Sequence, residues 1–376
     1  MKKICFVVSS IYTVNGFLLN HIDKLSAHNE VTVIANTRNK DFVKDLRINY
    51  ELLHVRIERR THPLYDLFAL VVLVRLFKRR HFDIVHSVTP KAGLLAMTAA
   101  RIARVQFRIH TFTGQVWVTR SRIMRWILKQ ADTALALSAT NILVDSSSQL
   151  DFLLHEKVVS ANKAEVLASG SINGVDTSRF IPDPQERVKI RAKNNIPDDA
   201  ILFLFLGRLN GDKGLIDLSK AFTILCAHYD DVFLIIVGRD EENLTPSILK
   251  QVSAYAKRVH ILDHTLHPER FMAASDVLCL PSFREGFSTV IIEAASTGIP
   301  SIGSRIYGIT DAIVEGETGM MHEAGNIHEL YQCMIHLYDH DSRKAMGDKA
   351  RKRVIEKFSQ DRISSALIEY YRSLGL

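Results

Sequence analysis

The 376-residue sequence is poor in cysteine, with only Cys5, Cys226, Cys279 and Cys333. No two of them have the spacing of a metal-ligand set or a disulfide framework. That excludes a stapled secreted scaffold and fits a reducing cytosol. Long apolar runs are also missing. The longest, Leu67 to Val74, is far shorter than the ~20 residues that span a bilayer. The opening MKKICFVVSSIY has two lysines, but its apolar run is too short for a signal peptide and no small-residue cleavage site follows. The chain is therefore expected to be neither exported nor transmembrane, while still able to lie on a membrane surface. No G-x-G-x-x-G follows the first apolar segment, which disfavours an NAD-dependent enzyme. Solenoid repeats, low-complexity tracts and heptad runs are absent too.

What is present is ordinary globular material, 47% hydrophobic and 24% charged. The length suggests two domains, each with its own core. The net charge of +7 is unevenly spread. Residues 1–180 hold 25 Lys and Arg against 14 Asp and Glu, and the remainder holds 23 against 27. A basic first half suggests an anionic partner: nucleic acid, acidic lipid headgroups or a phosphorylated substrate.

Short, apolar, β-branched runs alternate with amphipathic ones. KKICFVVSS reads as a buried parallel strand, followed by a loop at Asn15-Gly16 and a helix FLLNHIDKLSAH. EVTVIAN, FDIVHSV, FRIHTF and TALALSA read as further strands, with helices KAGLLAMTAARIA and MRWILKQA among them. Residues 169–180, SGSINGVDTSRF, break the rhythm, and Pro182 and Pro184 follow, so a linker is expected there. The rhythm then restarts with AILFLFLGRL, VFLIIVGRD, VHILDH, DVLCLPS and PSIGS. The end, FSQDRISSALIEYYRSL, reads as a helix. The expected fold is α/β, two doubly wound Rossmann-like domains facing a central cleft.

Two stretches carry candidate chemistry. GRLNGDKG follows a strand but lacks the spacing and hydroxyl of a P-loop. Gly207 would let the chain turn, leaving Arg208 and Lys213 placed either to neutralise a diphosphate or simply to be solvated. In REGFSTVIIEAASTGIP, Ser288 suits the N-cap of a helix running to about Gly298. That helix's N-terminus would offer a phosphate cradle. Glu285 and Glu293 could accept hydrogen bonds from neutral hydroxyls, or complement the helix dipole and face water.

In these residues together, the sequence resembles the retaining family-4 glycosyltransferases of GT-B fold, of the bacterial surface-polysaccharide type. The resemblance rests on NGVDTSRF, GRLNGDKG, VGRD, ASDVLCLPSFREGFSTVIIEAASTGIP and GITDAIVEGETG, and covers nearly the whole chain. It implies an acceptor-binding domain over residues 1–180, with the terminal helix 359–376 packing back onto it. Residues 181–358 would bind a nucleotide sugar. It implies that Arg208 and Lys213 bind the donor diphosphate, that Glu285 holds donor-sugar hydroxyls and that Glu293 holds the ribose. The amides of Gly286, Phe287 and Ser288 would approach sugar and phosphates, and Gly16 would close over the diphosphate. Relatives often carry a histidine where this chain has Thr113, and strand alternation puts His110 on the opposite face. His86 and Lys91, in VHSVTPKAG, would lie near the acceptor or serve only the fold.

The resemblance also implies a UDP-sugar donor, a polyprenyl-diphosphate-linked sugar acceptor, a hexosyl or N-acetylhexosaminyl group transferred, no cofactor, no metal and no nucleic-acid partner. It places the protein in the cytoplasm, on the inner face of the cytoplasmic membrane. RSRIMRWILK (Arg120 to Lys129) reads as a lipid-docking segment, while LFALVVLVRLFKRRHF (Leu67 to Phe82) reads rather as a buried helix. Two rival readings remain at this stage, a GT-B-fold UDP-sugar 2-epimerase and a basic nucleic-acid-binding protein.

Overall fold

A computed structural model of the chain describes residues 1–37, 48–58 and 62–375. It divides into two units, Met1–Asn173 with Gln360–Leu376, and Gly174–Ser359. The division falls before the expected boundary at 180. Val175 N–H donates to the Phe358 carbonyl at 2.8 Å, and Phe180 is buried in the second core, so NGVDTSRF belongs largely to the second unit.

The first unit is a seven-stranded sheet of β1 (Lys3–Val7), β2 (Glu30–Ala35), β3 (Glu51–His54), β4 (Ile84–Val88), β5 (Phe107–Phe112), β6 (Asn141–Val144) and β7 (Ala164–Val166). The order is β3-β2-β1-β4-β5-β6-β7 and every pairing is parallel. Strands covered on both faces are mostly apolar, and KICFV and IVHSV are almost wholly buried, the second with its polar His86 and Ser87 hydrogen-bonded. One face packs the helices Pro63–Arg80, Pro90–Ile102 and Arg122–Ser138 through Leu73, Ala96 and Leu135. The other packs Leu19–Ser26 and the terminal helix Gln360–Ser373 through Ile22, Leu367 and Tyr371.

Two local expectations fail here. TALALSA is not a strand. It completes the helix Arg122–Ser138, where Asp132, Leu135 and Ala136 are buried at helical spacing and Trp117 Nε1 donates to Asp132 Oδ2 at 2.8 Å. The strand lies just beyond, at Asn141–Val144. Nor is Asn15-Gly16 a loop. Ser10 caps a helical stretch that starts at Ile11, and Val14–Leu18 forms a widened π-helical turn before Leu19–Ser26.

The second unit is a six-stranded parallel sheet of β8 (Ile201–Leu206), β9 (Val232–Val237), β10 (Val259–Leu262), β11 (Val277–Leu280), β12 (Ser301–Ser304) and β13 (Gly319–His322). Its order is β10-β9-β8-β11-β12-β13. At the amino ends of β8 and β11, the fully buried Arg191 pairs with Asp276 at 2.6 Å and donates to the carbonyls of Ala274, Pro197 and Ala200. Asp276 also accepts from Leu202 N–H at 2.8 Å. A buried charge is tolerated because all its neighbours are matched to it.

Candidate functional site

In an open parallel sheet, ligands bind at the carboxyl ends of strands where the order reverses. In the second unit that point lies between β8 and β11. Both strands end in loops that glycines draw together. Gly214, at φ +67°, lies so close to Pro281 that a Cβ would stand 1.9 Å from its carbonyl oxygen. Gly308, at φ +81°, lies against Gly286 in the same way, where a Cβ would stand 1.8 Å from the carbonyl oxygen. Phe283 N–H donates to the Asp212 carbonyl at 2.8 Å. The Gly211–Lys213 turn and the segment 281–288 therefore form one surface. Gly207 itself lies outside the left-handed region. Its carbonyl is closely approached by Gly238, where a Cβ would sit 1.8 Å from that oxygen.

Lys213 Nζ and Glu285 Oε1 form a 2.5 Å ion pair, and Ser282 Oγ donates to the same oxygen at 2.8 Å. Arg284 pairs with Asp212 at 2.8 Å. Arg208 stands exposed at the rim, paired with Glu241 at 2.8 Å. Each cation of this surface is thus held by a carboxylate. Glu285 is legible in the sequence as a site residue but not as the partner of Lys213, and the other two partners are not singled out there. Asp212, next to Lys213, was visible in GDKG, but Glu241 lies on another loop and nothing local marks it.

Ser288 occupies the N-cap of the helix Thr289–Ser296 without capping it. Among the described residues its buried hydroxyl has no hydrogen-bond partner. An uncommitted hydroxyl at the positive end of a helix is suited to an anion or a ligand hydroxyl. The helix stops two residues before the expected end near Gly298, and Phe287 packs on Phe358 with ring centroids 5.4 Å apart. Inside the helix, burial pushes the Glu293 carboxyl up to about 7. Arg179 opposes that shift and Glu269 adds to it. Arg179 itself pairs with Glu269 at 2.7 Å and donates to the Leu266 carbonyl at 2.8 Å.

In the first unit, Gly16 is exposed within the π-helical turn, and its carbonyl accepts from Asn173 Nδ2 at 3.3 Å. His86 is fully enclosed, with Nδ1 2.6 Å from the Tyr371 hydroxyl and Nε2 2.7 Å from Thr111 Oγ1. Burial pulls its imidazole down to about 3. His110 is lowered to about 3 by the same cause. Its Nδ1 lies 2.8 Å from Ser87 Oγ, and its ring fills the space beside Gly93 that a Cβ would need. Both histidines are buried within the first unit. Lys91 pairs with Asp66 at 2.7 Å. Thr113 follows β5 and is partly exposed. The chain also contains an Asp-x-Asp string, Asp339-His340-Asp341, in which Asp339 caps the helix His340–Lys357 by accepting from Ser342 N–H.

Two parallel Rossmann-like units and an acid-and-base-lined switch point define the GT-B class of glycosyltransferase. The N-terminal part, residues 14–179, matches the model for Glycosyltransferase Family 4, and residues 186–353 match that for Glycosyl transferases group 1. The capsular polysaccharide biosynthesis glycosyltransferase CapM of Staphylococcus aureus is 30% identical over 327 residues, 86% of this chain and 85% of that one. An Escherichia coli UDP-Gal:alpha-D-GlcNAc-diphosphoundecaprenol alpha-1,3-galactosyltransferase is 26% identical over 304 residues, 78% of this chain and 76% of its own. In fold, the chain is similar to HepE of Anabaena, solved with UDP-glucose, at a TM-score of 0.82 and 19% identity, covering 99% of this chain and 100% of that one. The chain belongs to the family-4 glycosyltransferases, of GT-B fold and of the surface-polysaccharide type. No helix among the described residues is long and apolar enough to cross a membrane.

Proposed function

We propose that this glycosyltransferase is a retaining enzyme that moves a hexosyl or N-acetylhexosaminyl group from a UDP-sugar to a lipid-linked sugar. In this reading it works in surface-polysaccharide assembly, at the cytoplasmic face of the membrane. The observation that carries the proposal is the clustering of Lys213, Glu285 and the uncapped Ser288 helix tip on one surface. Lys213, Arg208 and the helix's positive end neutralise the charge that develops on the departing diphosphate. Glu285 accepts hydrogen bonds from the donor sugar, and Glu293 accepts them from the ribose. The amides of Gly286, Phe287 and Ser288 face sugar and phosphates. The acceptor hydroxyl attacks on the face the diphosphate leaves, and the leaving phosphate takes its proton.

Protein cations carry the leaving-group charge in this scheme, so neither cofactor nor metal enters it. The Asp-x-Asp string fits that view, because its first aspartate is committed to a helix cap. Support for a UDP-sugar and a diphospholipid acceptor comes from what the E. coli relative is named for. The test is transfer from a panel of UDP-sugars to an undecaprenyl-diphosphate-linked sugar, with and without EDTA. The expected result is a product with the donor's anomeric configuration, formed at an unchanged rate in EDTA. An inverted product, or activity abolished by EDTA, refutes the mechanism.

A further inference from the structure

The loop after β9 carries three acidic residues in a row, Asp240, Glu241 and Glu242, and they do different things. Asp240 shapes the loop. Its carboxylate accepts from the amides of Glu242, Leu244 and Thr245 and from the Thr245 hydroxyl, at 2.7 to 3.3 Å. The loop is also tied to the turn that follows β8. Leu209 N–H donates to the Arg239 carbonyl at 2.9 Å, and Glu241 N–H donates to the Leu209 carbonyl at 3.0 Å. This backbone pairing holds Glu241 and Glu242 against residues 208–211.

Both glutamates are exposed, and among the described residues neither side chain bonds within its own loop. They reach across to the turn instead. Glu241 Oε2 takes Arg208 Nη1 at 2.8 Å and lies 3.4 Å from Asn210 Nδ2. Glu242 Oε2 accepts from the Gly211 N–H at 2.9 Å. Asn210 is only 8% exposed, and its side-chain oxygen has no hydrogen-bond partner among the described residues. A buried oxygen in that state costs free energy until a donor reaches it. A ligand hydroxyl or N–H at this turn would supply one.

Carboxylates and phosphate oxygens accept from the same donors, a forked guanidinium and backbone N–H groups. The donors of residues 208–211 are therefore met by two negative charges from the neighbouring loop. A diphosphate that takes Arg208 must displace Glu241, and it then stands beside carboxylates of its own sign.

We infer that Glu241 and Glu242 are built-in competitors of the donor diphosphate: they hold the Arg208–Gly211 turn until a nucleoside diphosphate takes it, and they keep the grip on that nucleotide loose. The inference rests on the donor site proposed above. Glu241→Gln and Glu242→Gln keep the side chain's shape and remove one charge each. In titration calorimetry of the full chain, each should bind UDP roughly 3-fold more tightly than the parent, and the two together roughly 10-fold. Circular dichroism should match the parent. A purely structural role for the glutamates predicts the opposite sign, a loss of affinity. In an Arg208→Ala background, Glu241→Gln should lose most of its effect, because the cation for which the carboxylate competes is gone. Glutamine variants that bind UDP like the parent, or more weakly, overturn the inference, and so does a gain that persists in full without Arg208. Lys213→Ala separates this inference from the donor site itself. If it weakens UDP binding while the glutamine variants change nothing, the competitors alone fall. UDP that binds no better to the parent than to Lys213→Ala refutes the donor site, and the competitors with it.

Discussion

Replacing Glu293 by Gln tests the site through stability and binding at once, with opposite signs. Burial raises this carboxyl from 4.5 to about 7 in the folded chain. Between those values the folded state keeps a proton that the unfolded chain has lost. Stability therefore falls as pH rises from 4.5 to 7, and the whole penalty persists above 7. At about 1.4 kcal/mol per pH unit, the penalty is about 3 kcal/mol. Glutamine has the same shape and no charge, so Glu293→Gln should stabilise the unliganded protein at pH 8. For a unit the size of Gly174–Ser359 this corresponds to about 6–12 °C in Tm. At pH 4.5 the gain should nearly vanish. Binding should move the other way. A hydroxyl–carboxylate bond contributes about 1.5–3 kcal/mol, so UDP should bind roughly 10- to 100-fold more weakly to the variant. The assays are thermal unfolding from pH 4.5 to 8 and UDP titration calorimetry. A variant that melts lower at pH 8, or whose gain is the same at both pH values, refutes the burial argument. Unchanged UDP affinity refutes the ribose assignment.

Lys213→Ala should reduce turnover roughly 100-fold or more with the fold intact, measured as kcat beside circular dichroism. Gly308→Ala should destabilise by at least about 2 kcal/mol in urea unfolding, because alanine resists the left-handed backbone there and its Cβ would meet the Gly286 carbonyl. Arg191→Met should cost about 3 kcal/mol in the same assay, because four carbonyls lose their buried donor and Asp276 is left with Arg187 alone as an ion-pair partner.

Most of this architecture was legible because doubly covered parallel strands are short and continuously apolar. FLFL, LIIV and LCL could hardly lie elsewhere. TALALS misled because alanine and leucine suit a buried strand or a helix equally, and what decides is Asp132 reaching Trp117 from far along the chain. Alternation along β5 put His110 opposite Thr111, and the structure agrees, with His110 turned towards Gly93 and Thr111 towards His86. The short strands β3, β7 and β13 left too little pattern to see. At the candidate site, Glu285, Glu293 and Lys213 were legible as residue types in a motif. Their ionic partners were not, because pairs such as Lys213 with Glu285 exist only after two strands bring their loops together.

Those partners bear on how a donor would enter. Arg208 and Glu241 are both substantially exposed, and such pairs contribute about 1 kcal/mol or less, so a diphosphate can recruit Arg208 at little cost. Lys213 and Glu285 are a different case, because only 17% and 13% of their side chains is exposed. If the lysine turned to a phosphate, the carboxylate would be left short of a donor in a partly dry place, keeping only Ser282. Sugar hydroxyls are groups that can fill that vacancy. Diphosphate and sugar would then bind more tightly together than separately, because each relieves a deficit the other creates. A nucleoside diphosphate lacking its sugar would meet the unrelieved half of that exchange, which favours release of the spent nucleotide once the sugar has been transferred.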